Sequence, residues 1–132
     1  MLETIARKVL VVDDEEEIVE LLGNILKRAH YDVVTATLGR KAVELTRQIK
    51  PDIILLDVLL PDIQGGQVAA ELSLDPATSE IPIVFVTGVM SADAKDFLGT
   101  KLGKYFLMLK PVSEKDILKK VSEVLALKAT PQ

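Results

Sequence analysis

The chain has 132 residues, a formal net charge of −4 and no cysteine, which suits one domain with a full core and is too short for two. Hydrophobic residues at 48% against 27% charged exclude a disordered chain, and the acidic balance argues against a nucleic-acid surface, which needs a basic stripe. Without cysteine there is no disulfide framework, no thiolate metal site and no cysteine nucleophile.

Residues 1–8 lack the apolar stretch of a signal peptide. The first apolar run, Val9-Leu10-Val11-Val12, ends in Asp13-Asp14 and reads as a fully buried strand. Ile18, Leu22, Ile25, Leu26 and Ala29 follow at helical spacing. Gly23, inside that helix, costs about 1 kcal/mol against Ala and has no evident role. His30, the sole histidine, sits before the second strand as a surface or helix-end residue. That strand, residues 32–36, is more polar than the others and belongs near a sheet edge. Leu38, Ala42, Leu45 and Ile49 predict the second helix, and Pro51 precedes the run Ile53-Ile54-Leu55-Leu56, which ends in Asp57.

Pro61 follows that strand, and Gly65-Gly66 opens a helix carrying Val68, Ala69 and Leu72. Pro76 and Pro82 bracket the connection to Ile83-Val84-Phe85-Val86, which ends in Thr87-Gly88. Ala94, Phe97, Leu98 and Leu102 predict a further helix. Tyr105-Phe106-Leu107-Met108-Leu109 then runs into Lys110-Pro111, an X-Pro pair that can hold a cis turn. Ser113 to Asp116 resembles a capping box ahead of a last helix on Ile117, Leu118, Val121, Val124 and Leu125. Residues 128–132 read as a frayed tail or the start of a linker. No run approaches the roughly eighteen apolar residues of a membrane span, so a soluble, cytoplasmic domain is expected.

The strand–helix order repeats five times, and right-handed crossovers then bury a parallel sheet between two helical layers. In an open α/β sheet the ligand site lies beyond the carboxyl ends of the strands. Asp13, Asp14, Asp57, Thr87 and Lys110 all end apolar runs and converge there if the first and third strands are neighbours. Like charges about 4 Å apart repel by roughly 4 kcal/mol at an effective dielectric of about 20, so the carboxylates must hold protons or a cation. Oxygen donors with room for water suit a hard divalent ion, of which Mg²⁺ fits best. Taken alone, Asp13-Asp14 also fits ordinary capping of the first helix; Asp57 at the end of another buried strand favours the metal site. Asp57 is then the candidate nucleophile for a phosphoryl group. Lys110 supplies positive charge, Thr87 a hydroxyl, and the backbone around Leu59 and Gly88 further donors.

Val-Val-Asp-Asp-Glu at 11–15, Leu-Leu-Asp-Val-Leu-Leu-Pro-Asp-Ile-Gln-Gly at 55–65, Val-Thr-Gly at 86–88 and Leu-Lys-Pro at 109–111 resemble the receiver domains of two-component response regulators. The match spans roughly residues 7 to 127 of a single domain 1–132. It implies a flavodoxin-like (βα)5 three-layer sandwich with a five-stranded parallel sheet in the order 2-1-3-4-5. It also implies phosphorylation of Asp57 by a sensor histidine kinase or a phosphotransfer protein. By the same resemblance Asp14, Asp57 and the Leu59 carbonyl bind Mg²⁺ directly and Asp13 binds through water. Lys110 holds the phosphoryl group, and Thr87 reports its arrival to an output partner or effector domain. Such a domain catalyses only its own phosphorylation and dephosphorylation, is not otherwise an enzyme, and can pair as a homodimer.

This chain departs from the family pattern in several places. Leu107 stands at the switch position, where an aromatic residue normally couples to the Thr. Tyr105 and Phe106 occupy positions that are commonly acidic, and Val112 replaces a frequent Phe. The face around the fifth strand also lacks the ion-pair pattern of DNA-binding regulators that dimerise there. Leu59 and Val89, both apolar, flank the path of attacking water, so slow self-dephosphorylation is expected. Leu107 supports an alternative, a phosphate-independent receiver that acts as a binding module. A phosphatase of the haloacid-dehalogenase type is disfavoured, because its second Asp is replaced by Leu59 and no cap insertion is available. Neither a Gly-x-x-x-x-Gly-Lys loop nor a Gly-x-Gly-x-x-Gly fingerprint for nucleotides occurs.

Overall fold

A computed structural model describes residues 6–88 and 105–129, with side chains to residue 127. Val89, the helix expected on Ala94, Phe97, Leu98 and Leu102, and residues 130–132 lie outside the described residues. Among the described residues there are five strands: β1 (Lys8–Val12), β2 (Asp32–Ala36), β3 (Ile53–Leu56), β4 (Ile83–Thr87) and β5 (Tyr105–Leu109). All pair in parallel, in the order β2-β1-β3-β4-β5. This is the doubly wound, flavodoxin-like topology, with the polar strand β2 at an edge as its sequence requires.

The described helices are α1 (Glu16–Arg28), α2 (Gly39–Ile49), α3 (Gly65–Leu74) and α4 (Glu114–Ala129). Successive strand residues point to opposite faces, so each apolar run feeds two cores. Leu10, Val12, Ile54, Leu56 and Phe85 pack with Ala42 and Val43 of α2 and Val68, Ala69 and Leu72 of α3. Val9, Val11, Ile53, Leu55 and Val84 pack with Leu22, Ile25 and Leu26 of α1 and Ile117, Val121 and Val124 of α4.

Helix ends show what periodicity could not. Leu38, expected in the core stripe of the second helix, is instead its N-cap residue and is 44% exposed. Val43 and Thr46 take the buried positions, and the Thr46 hydroxyl donates to the Ala42 carbonyl at 2.7 Å. Ala29 lies just past α1, where His30 adopts the left-handed region at φ 72°. The His30 and Tyr31 amides donate back to the Lys27 and Leu26 carbonyls, closing a Schellman motif. Ser113 caps α4 by accepting from the Asp116 amide at 3.0 Å. That helix continues through Ala129, two residues into the expected tail.

Candidate functional site

Register brings the site together. Val12 of β1 pairs with Leu56 of β3, so the next residue of each strand, Asp13 and Asp57, emerges at the same edge. The backbone continues the ladder there, with the Asp57 amide donating to the Val12 carbonyl at 3.0 Å. Thr87, the buried last residue of β4, pairs with Leu109 of β5. Its carbonyl accepts from the Lys110 amide at 2.9 Å. The Lys110-Pro111 bond is cis.

Asp13 and Asp57 are buried, at 2% and 5% exposure, whereas Asp14 faces solvent. Each of the three offers a carboxylate oxygen, and these atoms lie within 4.8 Å of one another. Lys110 Nζ donates to Asp13 Oδ2 at 2.5 Å and to Asp57 Oδ2 at 3.2 Å. The second Asp57 oxygen, Oδ1, accepts from the Leu59 amide at 3.3 Å. Asp13 Oδ1 accepts from the Glu15 amide at 3.0 Å, so this residue serves the turn into α1 as well as the cluster. The N-cap of α1 is Glu15, with no side-chain cap bond, so Asp13 shapes the turn before the helix without capping it.

Electrostatics follow from this crowding. Burial raises the Asp57 pKa above the ordinary carboxylate value and the Asp13 charge adds to it; Lys110 and the Leu59 amide oppose them incompletely. Burial pulls the Lys110 pKa down, but its bond to Asp13 and the Asp57 charge outweigh that and hold it above the ordinary lysine value. The donor set is all oxygen, is anionic and is open to water on the Asp14 side, which fits a hard divalent cation such as Mg²⁺.

Gly88 is exposed and lies against the Lys110 side chain; a Cβ there would stand 3.9 Å from Lys110 Cβ and Cδ. Leu59 is 46% exposed. Leu107 is partly buried on the α2–α3 side of the sheet, opposite Phe85 in register. Tyr105 is buried two residues earlier on the same face, its ring centroid 6.1 Å from that of Phe85. The aromatic bulk of β5 on this face is thus displaced away from the site.

Two contributors escape a reading of the sequence. The Asp62 carboxylate accepts from the Gly39 and Arg40 amides, each at 2.8 Å. Its burial acts to raise the pKa, but the amides of Arg40, Gly39 and Ile63 outweigh this and hold it below the ordinary value. The other contributor is Gly65, where any Cβ would overlap the Asp57 carbonyl oxygen. Gly-Gly signals a helix start, but no sequence pattern shows which backbone packs against it.

The family model described as the response regulator receiver domain matches residues 9–122. The alkaline phosphatase synthesis transcriptional regulatory protein PhoP of Bacillus subtilis is 38% identical over 122 residues, covering 90% of this chain and 48% of PhoP. The chain therefore spans about half of that relative's length. Protein PilH of Pseudomonas aeruginosa is 34% identical over 119 residues, covering 90% of this chain and 98% of PilH. The chemotaxis response regulator CheY4 of Vibrio cholerae superposes with a TM-score of 0.82 at 27% identity, over 91% of this chain and 99% of CheY4. On the family match and the PilH identity together, this chain belongs to the receiver domains of two-component response regulators.

Proposed function

We propose that this receiver is cytoplasmic and accepts a phosphoryl group on Asp57, in a Mg²⁺-dependent reaction, from a sensor histidine kinase or phosphotransfer protein. The observation that carries the reading is the buried Asp57 carboxylate, which lies beside two further carboxylates with Lys110 bonded to it. An Asp57 oxygen attacks phosphorus, the P–N bond of the donor phosphohistidine breaks, and its electron pair leaves on the imidazole, which takes a proton from solvent. Bound Mg²⁺ supplies charge neutralisation to the transferring group. Lys110 exchanges its carboxylate partners for phosphoryl oxygens, and the Leu59 and Gly88 amides and the Thr87 hydroxyl donate to the same group. The domain turns over no other substrate.

Phosphorylation adds about −1.5 to −2 charge units at this edge. Recruitment of Thr87 and Lys110 shifts the loops after β3 and β4 and alters affinity for the output partner. The test is intact mass after incubation with acetyl phosphate, with and without Mg²⁺, beside Asp57→Asn. One added phosphoryl group that requires both the metal and Asp57 supports the reading. No addition to a folded protein favours the phosphate-independent module, for which the observation is Leu107 at the switch position.

A further inference from the structure

The loop joining β3 to α3 carries the backbone at Leu59, yet the Leu59 side chain is 46% exposed and contributes little to holding it. Its position is set by neighbours. On one side the Leu59 amide reaches back to Asp57 Oδ1 at 3.3 Å, and Leu60 is buried in the core. On the other side Asp62 spans the first two amides of α2, one carboxylate oxygen on each, at 2.8 Å. The helix has no side-chain cap of its own, because Leu38 stands at its N-cap. Asp62 therefore does for α2 what a Ser or Asp at position 38 would do, but from a loop 22 to 23 residues further along the chain.

The contact is fitted from both sides. A Cβ on Gly39 would stand 2.5 Å from Ile63 Cγ1 and 3.1 Å from the Ile63 carbonyl, so only glycine lets α2 approach this closely. An ionic acceptor bonding two backbone donors gives charge-assisted bonds, stronger than neutral ones. Arg40 adds an ion pair to Glu71 of α3 at 3.4 Å, across the same seam.

We propose that Asp62 is a positioning residue for the metal and phosphoryl site: its clamp on the α2 N terminus fixes the loop that presents the Leu59 backbone beside Asp57. The proposal rests on the Mg²⁺-dependent reading above. A residue that orients a metal ligand without touching the metal tunes affinity, and losing one typically weakens binding about ten- to a hundredfold.

The test is calorimetric titration of Mg²⁺ into the full chain for wild type, Asp62→Ala and Asp62→Asn, with urea midpoints measured in EDTA. Asp62→Ala is expected to weaken Mg²⁺ binding roughly tenfold. Asp62→Asn, which keeps one acceptor oxygen, is expected to fall between it and wild type. Gly39→Ala, which pushes on Ile63 from the α2 side, is expected to weaken binding in the same direction with Asp62 untouched. A lowered urea midpoint in Asp62→Ala with wild-type Mg²⁺ affinity would make Asp62 a helix cap and nothing more, overturning the proposal. A wild-type protein that binds no Mg²⁺ would instead overturn the reading beneath it, and this proposal with it.

Discussion

Lys110 Nζ is closer to Asp13 than to Asp57, at 2.5 Å against 3.2 Å. The ammonium is thus the counter-charge of two buried carboxylates, held from the far edge of the sheet. Lys110→Ala leaves both acids without it. The variant is expected to lose about 1–3 kcal/mol in urea unfolding with EDTA, the cost of buried charged groups without a partner. Saturating Mg²⁺ should then stabilise the variant more than the wild type, where the cation competes with Lys110. Equal stabilisation of the two would show that lysine and metal do not share the carboxylates.

The raised Asp57 pKa gives a pH dependence of definite sign. Above pH 3.8, the ordinary value, the unfolded chain releases this proton while the folded protein retains it. Over that interval the folded state binds more protons, so this group's contribution to stability falls as pH rises, then levels off above the folded pKa. Asn has no proton to lose. Asp57→Asn is therefore expected to have the higher urea midpoint in neutral metal-free buffer, with the advantage gone below pH 3.8. A constant difference across the range would contradict the assignment.

Two glycines make opposite predictions. At Gly65 a Cβ would overlap the Asp57 carbonyl, so Gly65→Ala is expected to destabilise by about 1–3 kcal/mol through a forced backbone shift. At Gly23 a Cβ would meet Val33 and Thr35 at 3.7 and 3.9 Å, which are ordinary contacts. Gly23→Ala is expected to stabilise by roughly 0.5–1 kcal/mol, because helical glycine carries an entropic cost that nothing here offsets. Both are read from urea unfolding.

Strands β1, β3 and β4 were legible because burial on both faces leaves an uninterrupted apolar run, and the site was legible because these runs and that of β5 each end in a polar residue. The convergence of Asp13, Asp57 and Lys110 needs only topology and register, which the family resemblance and the crossover rule supply. Leu38 misleads because apolar spacing alone does not fix where a helix begins. Asp62 lies in a motif quoted for the family, yet it is a loop residue whose partners Gly39 and Arg40 sit on a distant helix, and periodicity along one element carries no information about such pairs. Gly23 fills no turn or close approach that a pattern could reveal, since a Cβ there would meet only ordinary contacts.

The order of the strands also divides the site between distant parts of the chain. Its acidic half comes from the ends of β1 and β3, whereas the ammonium comes from residue 110, 97 positions after Asp13 and 53 after Asp57. Without β5 the Asp13 and Asp57 carboxylates would lack the ammonium that both of them bond.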